Sequence, residues 1–167
     1  MNVKRVYKKV LLEESLREYL LPETKMKKFV DDKDNRAILT REITKTQWNG
    51  LLSFCMRKEN VDDMIAYIQE KKEKKESPWR KRVKEEEVES TIGDYIVKHL
   101  QAIKKSELVE PLNAESKIKN AFFIPEVNLE NILTDEDKEE IVLLQARLFI
   151  RTLVKNVLAK IEEGLDL

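Results

Sequence analysis

The chain predicts an all-α fold: one domain over residues 1–167, a helical bundle with a long, mostly buried C-terminal helix. Three observations predict it. Only three glycines and four prolines interrupt 167 residues, so turns are few and long helices are favoured. Apolar residues recur at helical spacing almost throughout, and sustained two-residue alternation is nearly absent. A hydrophobic fraction of 41% beside a charged fraction of 38% supplies one core in a chain of this length.

The first helix is expected from about Val3 to Leu20, with Val6, Tyr7, Val10 and Leu11 apolar, and Pro22 ends it. A short charged connection follows, and the next helix begins near Asp34, carrying Ala37 and Ile38. Thr44 or Thr46 caps a helix in which Trp48, Leu51, Leu52 and Cys55 share a face. Gly50 lies inside it at a cost of about 1 kcal/mol relative to alanine, which a close packing contact would explain. Asn60 caps Val61–Lys75, with Met64, Ile65 and Ile68 inward. Ser77-Pro78 reads as an N-cap and first helical residue, opening a helix from Trp79 to about Lys104. Pro111 and Pro125 bracket a less regular stretch that holds Ala121-Phe122-Phe123-Ile124. Thr134 caps the last helix, whose first turn holds Asp135, Glu136 and Asp137. It then runs from Ile141 to about Glu163, where Gly164 closes it.

The single cysteine, Cys55, excludes an internal disulfide. No signal-peptide core and no run of 18 apolar residues occurs, so a cytoplasmic protein without a membrane partner is expected. Dense Lys and Glu with little Gly give a thermophile-like surface. Catalytic material is sparse. His99 is the only histidine, and Cys55 between Phe54 and Met56 suits an inert core thiol. One Cys and one His fall short of a zinc ligand set, and no glycine-rich phosphate cradle exists. The acidic clusters (Asp31, Asp32 and Asp34; Asp62 and Asp63; Glu85–Glu87; Asp135 and Asp137) read as solvated helix starts and faces. The expectation is no enzyme, no metal and no cofactor.

Net charge is zero, so any attraction to a polyanion must be local. Residues 71–84 hold eight cations against Glu73 and Glu76, a net of +6. Residues 126–140 hold seven acids against Lys138, a net of −6. This bipolarity suits either head-to-tail packing of copies or neutralisation within one chain. The basic segment also has two readings. It is a solvated hinge whose Trp79 anchors it to the core, or it is a binding surface. In the second case Lys74, Lys75, Arg80, Lys81 and Arg82 contact phosphates while Trp79 stacks on bases. In the last helix Arg147, Arg151 and Lys155 recur every four residues, which puts them on one stripe. That stripe is either a solvent-facing edge or a row of phosphate contacts about 5–6 Å apart. Phe122 and Phe123 either plug the core or contact a partner.

The segment Ile43-Thr44-Lys45-Thr46-Gln47-Trp48-Asn49-Gly50-Leu51-Leu52, preceded by Phe29-Val30-Asp31 and a helical spacer, resembles the small helical subunit of CRISPR effector complexes. The likeness is nearest to the type III small subunit, covers about forty residues, and extends to the placement of the helix at 141–161. That family's aromatic–glycine–arginine signature is not present in the middle of this chain. The resemblance implies a non-catalytic, all-helical protein of antiviral defence, present in several copies along a crRNA–target backbone and touching neighbouring subunits. It carries over one residue, Lys45, as a backbone contact.

The expected function is thus a non-catalytic subunit of a ribonucleoprotein, contacting RNA or single-stranded DNA and other protein subunits. The alternative is a protein-interaction adaptor or assembly factor that binds no nucleic acid. A metal-dependent nuclease built on Asp62 and Asp63 is the third reading.

Overall fold

The computed structural model describes Arg5, residues 25–105 and residues 134–165. The remainder of the expected first helix, the Pro111–Pro125 stretch, Phe122 and Phe123 lie outside the described residues. In chain order the elements are α1 (Lys25–Asp31), α2 (Lys33–Arg41), α3 (Lys45–Arg57) and α4 (Val61–Glu73). A 3₁₀ turn (Pro78–Arg80), β1 (Arg82–Glu85) and β2 (Val88–Thr91) follow, then α5 (Ile92–Lys105) and α6 (Asp135–Leu165). Helix makes up 79% of what is described, but the antiparallel β1–β2 pair makes the fold mostly α rather than all α.

Local capping chemistry accounts for most helix starts. Asp32 Oδ1 accepts from the amides of Asp34 and Asn35, opening α2. Thr44 and Gln47 form a reciprocal capping box on α3. Asn60 Oδ1 accepts from Asp63 N at 2.8 Å and starts α4. Thr134 Oγ1 accepts from Asp137 N while Asp137 Oδ2 accepts from Thr134 N, which starts α6. The charged connection expected after Pro22 holds α1 instead. Its Met26, Phe29 and Val30 are spaced to bury one face of a short helix.

α6 is the axis of the core and touches each of the five other helices among the described residues. Its buried side chains fall in one stripe: Ile141, Gln145 and Ala146, Phe149 and Ile150, Leu153 and Val154, then Val157. Leu144 remains 38% exposed, and Val142, Leu143 and Leu158 only pack against the core rim. The helix therefore buries one face, not most of its surface as its composition suggested. It also continues through Gly164 to Leu165. Around it, Phe29 stacks on Tyr95 at 3.8 Å, and His99 stacks on Phe149 at 5.2 Å. Trp48 is fully buried and its Nε1 donates to Leu39 O at 2.9 Å. Gly93, in the first turn of α5, lets the Lys72 stem of α4 pass close by. A Cβ there would meet three Lys72 carbons at 3.2–3.3 Å.

Residues 79–91 do not form the expected start of a long helix. Ser77 does act as a cap, its Oγ accepting from Trp79 N, but the helical turn ends at Arg80. A hairpin follows, with Val83 paired to Ser90 and Glu85 to Val88. Its two-residue turn is Glu86-Glu87, both at positive φ (48° and 72°). That conformation favours Asn-Gly, so the turn opposes local preference. The buried pair Trp79 and Val83 is four residues apart, a spacing that a helix satisfies equally well.

Asn35 settles the matter. This buried amide donates to Phe29 O at 3.0 Å and Lys84 O at 2.7 Å, and accepts from Lys84 N at 2.8 Å. Lys84 is the β1 residue whose backbone groups point away from β2, so the amide replaces the missing third strand. The far end of β1 is tied by Glu85, whose Oε2 lies 2.7 Å from His99 Nε2 on α5.

Asn35→Ala leaves two backbone groups of Lys84 without partners and should cost about 2–3 kcal/mol in urea unfolding. The Glu85 carboxyl is held below its ordinary value of 4.5, first by its hydrogen bond to His99. A depressed folded value means stability that is present above 4.5 and is lost as pH falls through the folded value. Glu85→Gln should therefore flatten the loss of stability below pH 4.5, read as melting temperature against pH.

Candidate functional site

Tertiary contacts split the basic segment into one buried anchor and an outward row of cations. Glu76 adopts φ 66° and turns the chain after α4, so that Trp79 swings back into the core. Trp79 is 7% exposed and meets Trp48 edge-on, ring centroids 5.1 Å apart. It cannot stack on bases, so the expectation that it does so is corrected. The segment does connect two helices with Trp79 anchored in the core, and its end is strand β1, clamped to α2.

The cations around Trp79 face outward. Lys74, Lys75, Arg80, Lys81, Arg82 and Lys84 are exposed, and Lys71 is half-buried. Lys72 pairs with Asp94 at 2.6 Å, Lys81 with Glu42 at 3.7 Å and Lys84 with Glu87 at 3.2 Å. None of these partners belongs to the acidic stretch 126–140. Lys71, Lys74, Lys75, Arg80 and Arg82 make no ion pair among the described residues. The exposed pairs of Lys81 and Lys84 are each worth about 0–1 kcal/mol, so both cations remain available to a stronger anion.

Three of these lysines converge on a groove of about 380 Å³. One wall is the amino-terminal half of α3, with Thr46, Gln47 and Gly50. The other is the end of α4 with Tyr67 and Lys71 and the turn after it with Lys74 and Lys75, and Ser77, Pro78 and Trp79 close it. Tyr67 and Lys71 lie one turn apart at the edge of the face that buries Met64, Ile65 and Ile68, and Lys74 and Lys75 follow in the turn after α4 ends at Glu73. Tyr67 is stacked on Phe54 at 3.5 Å, and Lys71 Nζ lies 5.4 Å from the Tyr67 ring centroid. The wall at α3 carries the positive end of that helix. Its first turn holds Lys45, which is exposed, and no acid.

Gly50 was expected to be excused by a close packing contact. Among the described residues there is none: a Cβ built there meets no atom of a neighbouring element within 4 Å. The groove residues Thr46, Gln47, Gly50, Tyr67 and Lys71 were not singled out as site residues in the sequence. Helical spacing puts Tyr67 and Lys71 on one face of α4, while Lys74 and Lys75 reach the groove through the turn that follows Glu73. Nothing in the sequence pairs that face with α3.

The α6 stripe does not join this groove. Arg147 is half-buried, and its Nη2 donates to Lys58 O at 2.6 Å, satisfying the carboxyl end of α3. Its Nε is buried with no partner among the described residues. Arg147 is thus a packing residue rather than an open phosphate contact. Arg151 is exposed and its Nη2 lies 3.6 Å from Met56 Sδ, while Lys155 is exposed one turn further on. Met56 and Lys58 lie nine and eleven residues beyond Gln47, about 14–16 Å along the helix at 1.5 Å per residue.

Elsewhere, Cys55 is fully buried, and burial pushes its thiol up to about 12. No group of three or more His, Cys, Asp or Glu side chains among the described residues is placed to hold a metal. No helix among them is long and apolar enough to cross a membrane. A second, larger recess of about 860 Å³ between α2 and the end of α6 is lined by both signs of charge, including Asp31, Arg36 and Lys160. No protein-family model, no curated protein and no solved structure matches this chain.

Since Gly50 packs against none of the described residues, Gly50→Ala should stabilise the fold by about 1 kcal/mol through helix propensity. Thermal or urea unfolding of the variant measures this directly.

Proposed function

We propose that this protein is a non-catalytic helical subunit of a ribonucleoprotein that grips the phosphate backbone of RNA or single-stranded DNA. The observation that carries the reading is the groove between α3 and the end of α4. There Lys71, Lys74 and Lys75 lack ion-pair partners among the described residues and face the positive end of a second helix. Anions are favoured at such an end, and a helix start with Lys45 and no acid lacks its usual charge complement. Arg80 and Arg82 extend the positive edge along the 3₁₀ turn and β1. Base stacking plays no part in this reading, because the one tryptophan in the segment is buried. Binding is then electrostatic and indifferent to sequence.

The resemblance to the CRISPR small subunit adds support of a different kind. Thr46, Gln47 and Gly50 belong to the stretch that resembles the family, and they line the same groove as the lysines of the basic segment. On this reading the protein works in the cytoplasm beside other subunits and spans no membrane.

Fluorescence anisotropy with labelled single-stranded RNA and DNA at two salt concentrations tests the proposal. Affinity should fall with salt at a log–log slope of about −2 to −4, the value for three to five neutralised phosphates on a single strand. Lys74→Glu combined with Lys75→Glu should weaken binding about tenfold or more at low salt. No binding by the parent protein at low salt would sink the proposal and leave the adaptor reading.

A further inference from the structure

We infer that Gly50 is a close-approach point, where the sugar–phosphate chain of a single strand crosses directly over the backbone of α3. The inference rests on the groove being a phosphate site and adds where the strand lies and which form it must have. Its starting point is the contrast between two helical glycines. Gly93 has a packing reason, because Lys72 lies where its Cβ would be. Gly50 has none among the described residues, yet it sits in the middle of a thirteen-residue helix where glycine is disfavoured.

An exposed glycine that costs stability, with no described residue over it, leaves the helix surface bare at one spot. That spot is on the wall of the groove, between Gln47 and the α3 turn that carries Phe54, and it faces Tyr67 and the three lysines. A ligand reaching the bare backbone there has cations on its other side. A groove of about 380 Å³ is near the lower limit for small-ligand sites, about 300–1,000 Å³. It admits a single nucleotide unit of a strand. The phosphates of a duplex lie on the outside of a wide cylinder and would meet the exposed lysines without entering the recess. The site therefore prefers single strands, and any side chain at position 50 obstructs them.

The test measures anisotropy of a labelled single-stranded uridine oligonucleotide, and of an RNA duplex of equal length, with the parent chain and Gly50→Ala, Gly50→Leu and Lys74→Glu/Lys75→Glu. Melting temperatures of all four proteins are recorded alongside. Gly50→Ala and Gly50→Leu should both melt no lower than the parent, since open space surrounds the position. Gly50→Leu should bind the single strand about tenfold more weakly with an unchanged salt slope, because contacts are blocked while the phosphates neutralised stay the same. Gly50→Ala should fall between parent and Gly50→Leu, and duplex binding should not respond to either. If both Gly50 variants bind the single strand as the parent does while the lysine variant is weakened, the close approach is wrong and backbone binding stands. If the lysine variant also binds normally, or the parent binds nothing, both are overturned.

Discussion

The buried amide of Asn35 is the constraint on which the arrangement of the basic segment depends. It offers two donors and one acceptor, and all are used: Phe29 O and Lys84 O receive, and Lys84 N donates. Such a group can be buried without penalty only when its partners are in place. Two of those bonds go to a residue 49 positions away, so helix α2 is complete only when β1 lies beside it. The dependence runs both ways. The Glu86-Glu87 turn is a poor hairpin turn by its own chemistry, and its contacts to Lys25 and Lys84 are exposed ion pairs of little worth. The hairpin persists because α2 supplies the outer edge of β1, while Val83 enters the core.

A second fixed point, the Trp48–Trp79 contact, works with the first. Trp48 is itself held by its bond to Leu39 O, so the edge of Trp79 meets a rigid surface. Between Trp79 and Lys84 the chain is pinned at both ends, and Arg80, Lys81 and Arg82 between them are exposed, Lys81 beside Glu42. Concentrating like charges is unfavourable unless they are solvated or met by an anion. The fold offers Asp94, Glu42 and Glu87 to Lys72, Lys81 and Lys84, and leaves Lys71, Lys74 and Lys75 on the groove and Arg80 and Arg82 exposed beyond it.

The two arginines of α6 show how charge periodicity misleads when tertiary neighbours are unknown. Arg147 and Arg151 share a stripe with Lys155, but that stripe runs beside α3. Arg147 closes the end of α3 through Lys58 O, whereas Arg151 rests against Met56. One guanidinium therefore serves packing, and the two remaining cations stand apart from the groove.

Much of the helical framework was legible in the sequence because its causes are local. Thr44, Asn60 and Thr134 cap helices through side chains that reach three residues ahead. Met64, Ile65 and Ile68 reveal the inner face of α4, as Trp48, Leu51 and Cys55 reveal that of α3. The concentration of cations at 71–84 was likewise plain in the sequence. The hairpin was not, since Trp79 and Val83 fit a helical spacing and Glu-Glu gives no turn signal. Only tertiary structure decided it, through an amide on another helix. It also decided that Trp79 points inward, that Arg147 is a packing residue, and that Gly50 faces a groove. Capping and periodicity act within one or two turns, whereas burial and groove formation depend on which helix lies opposite.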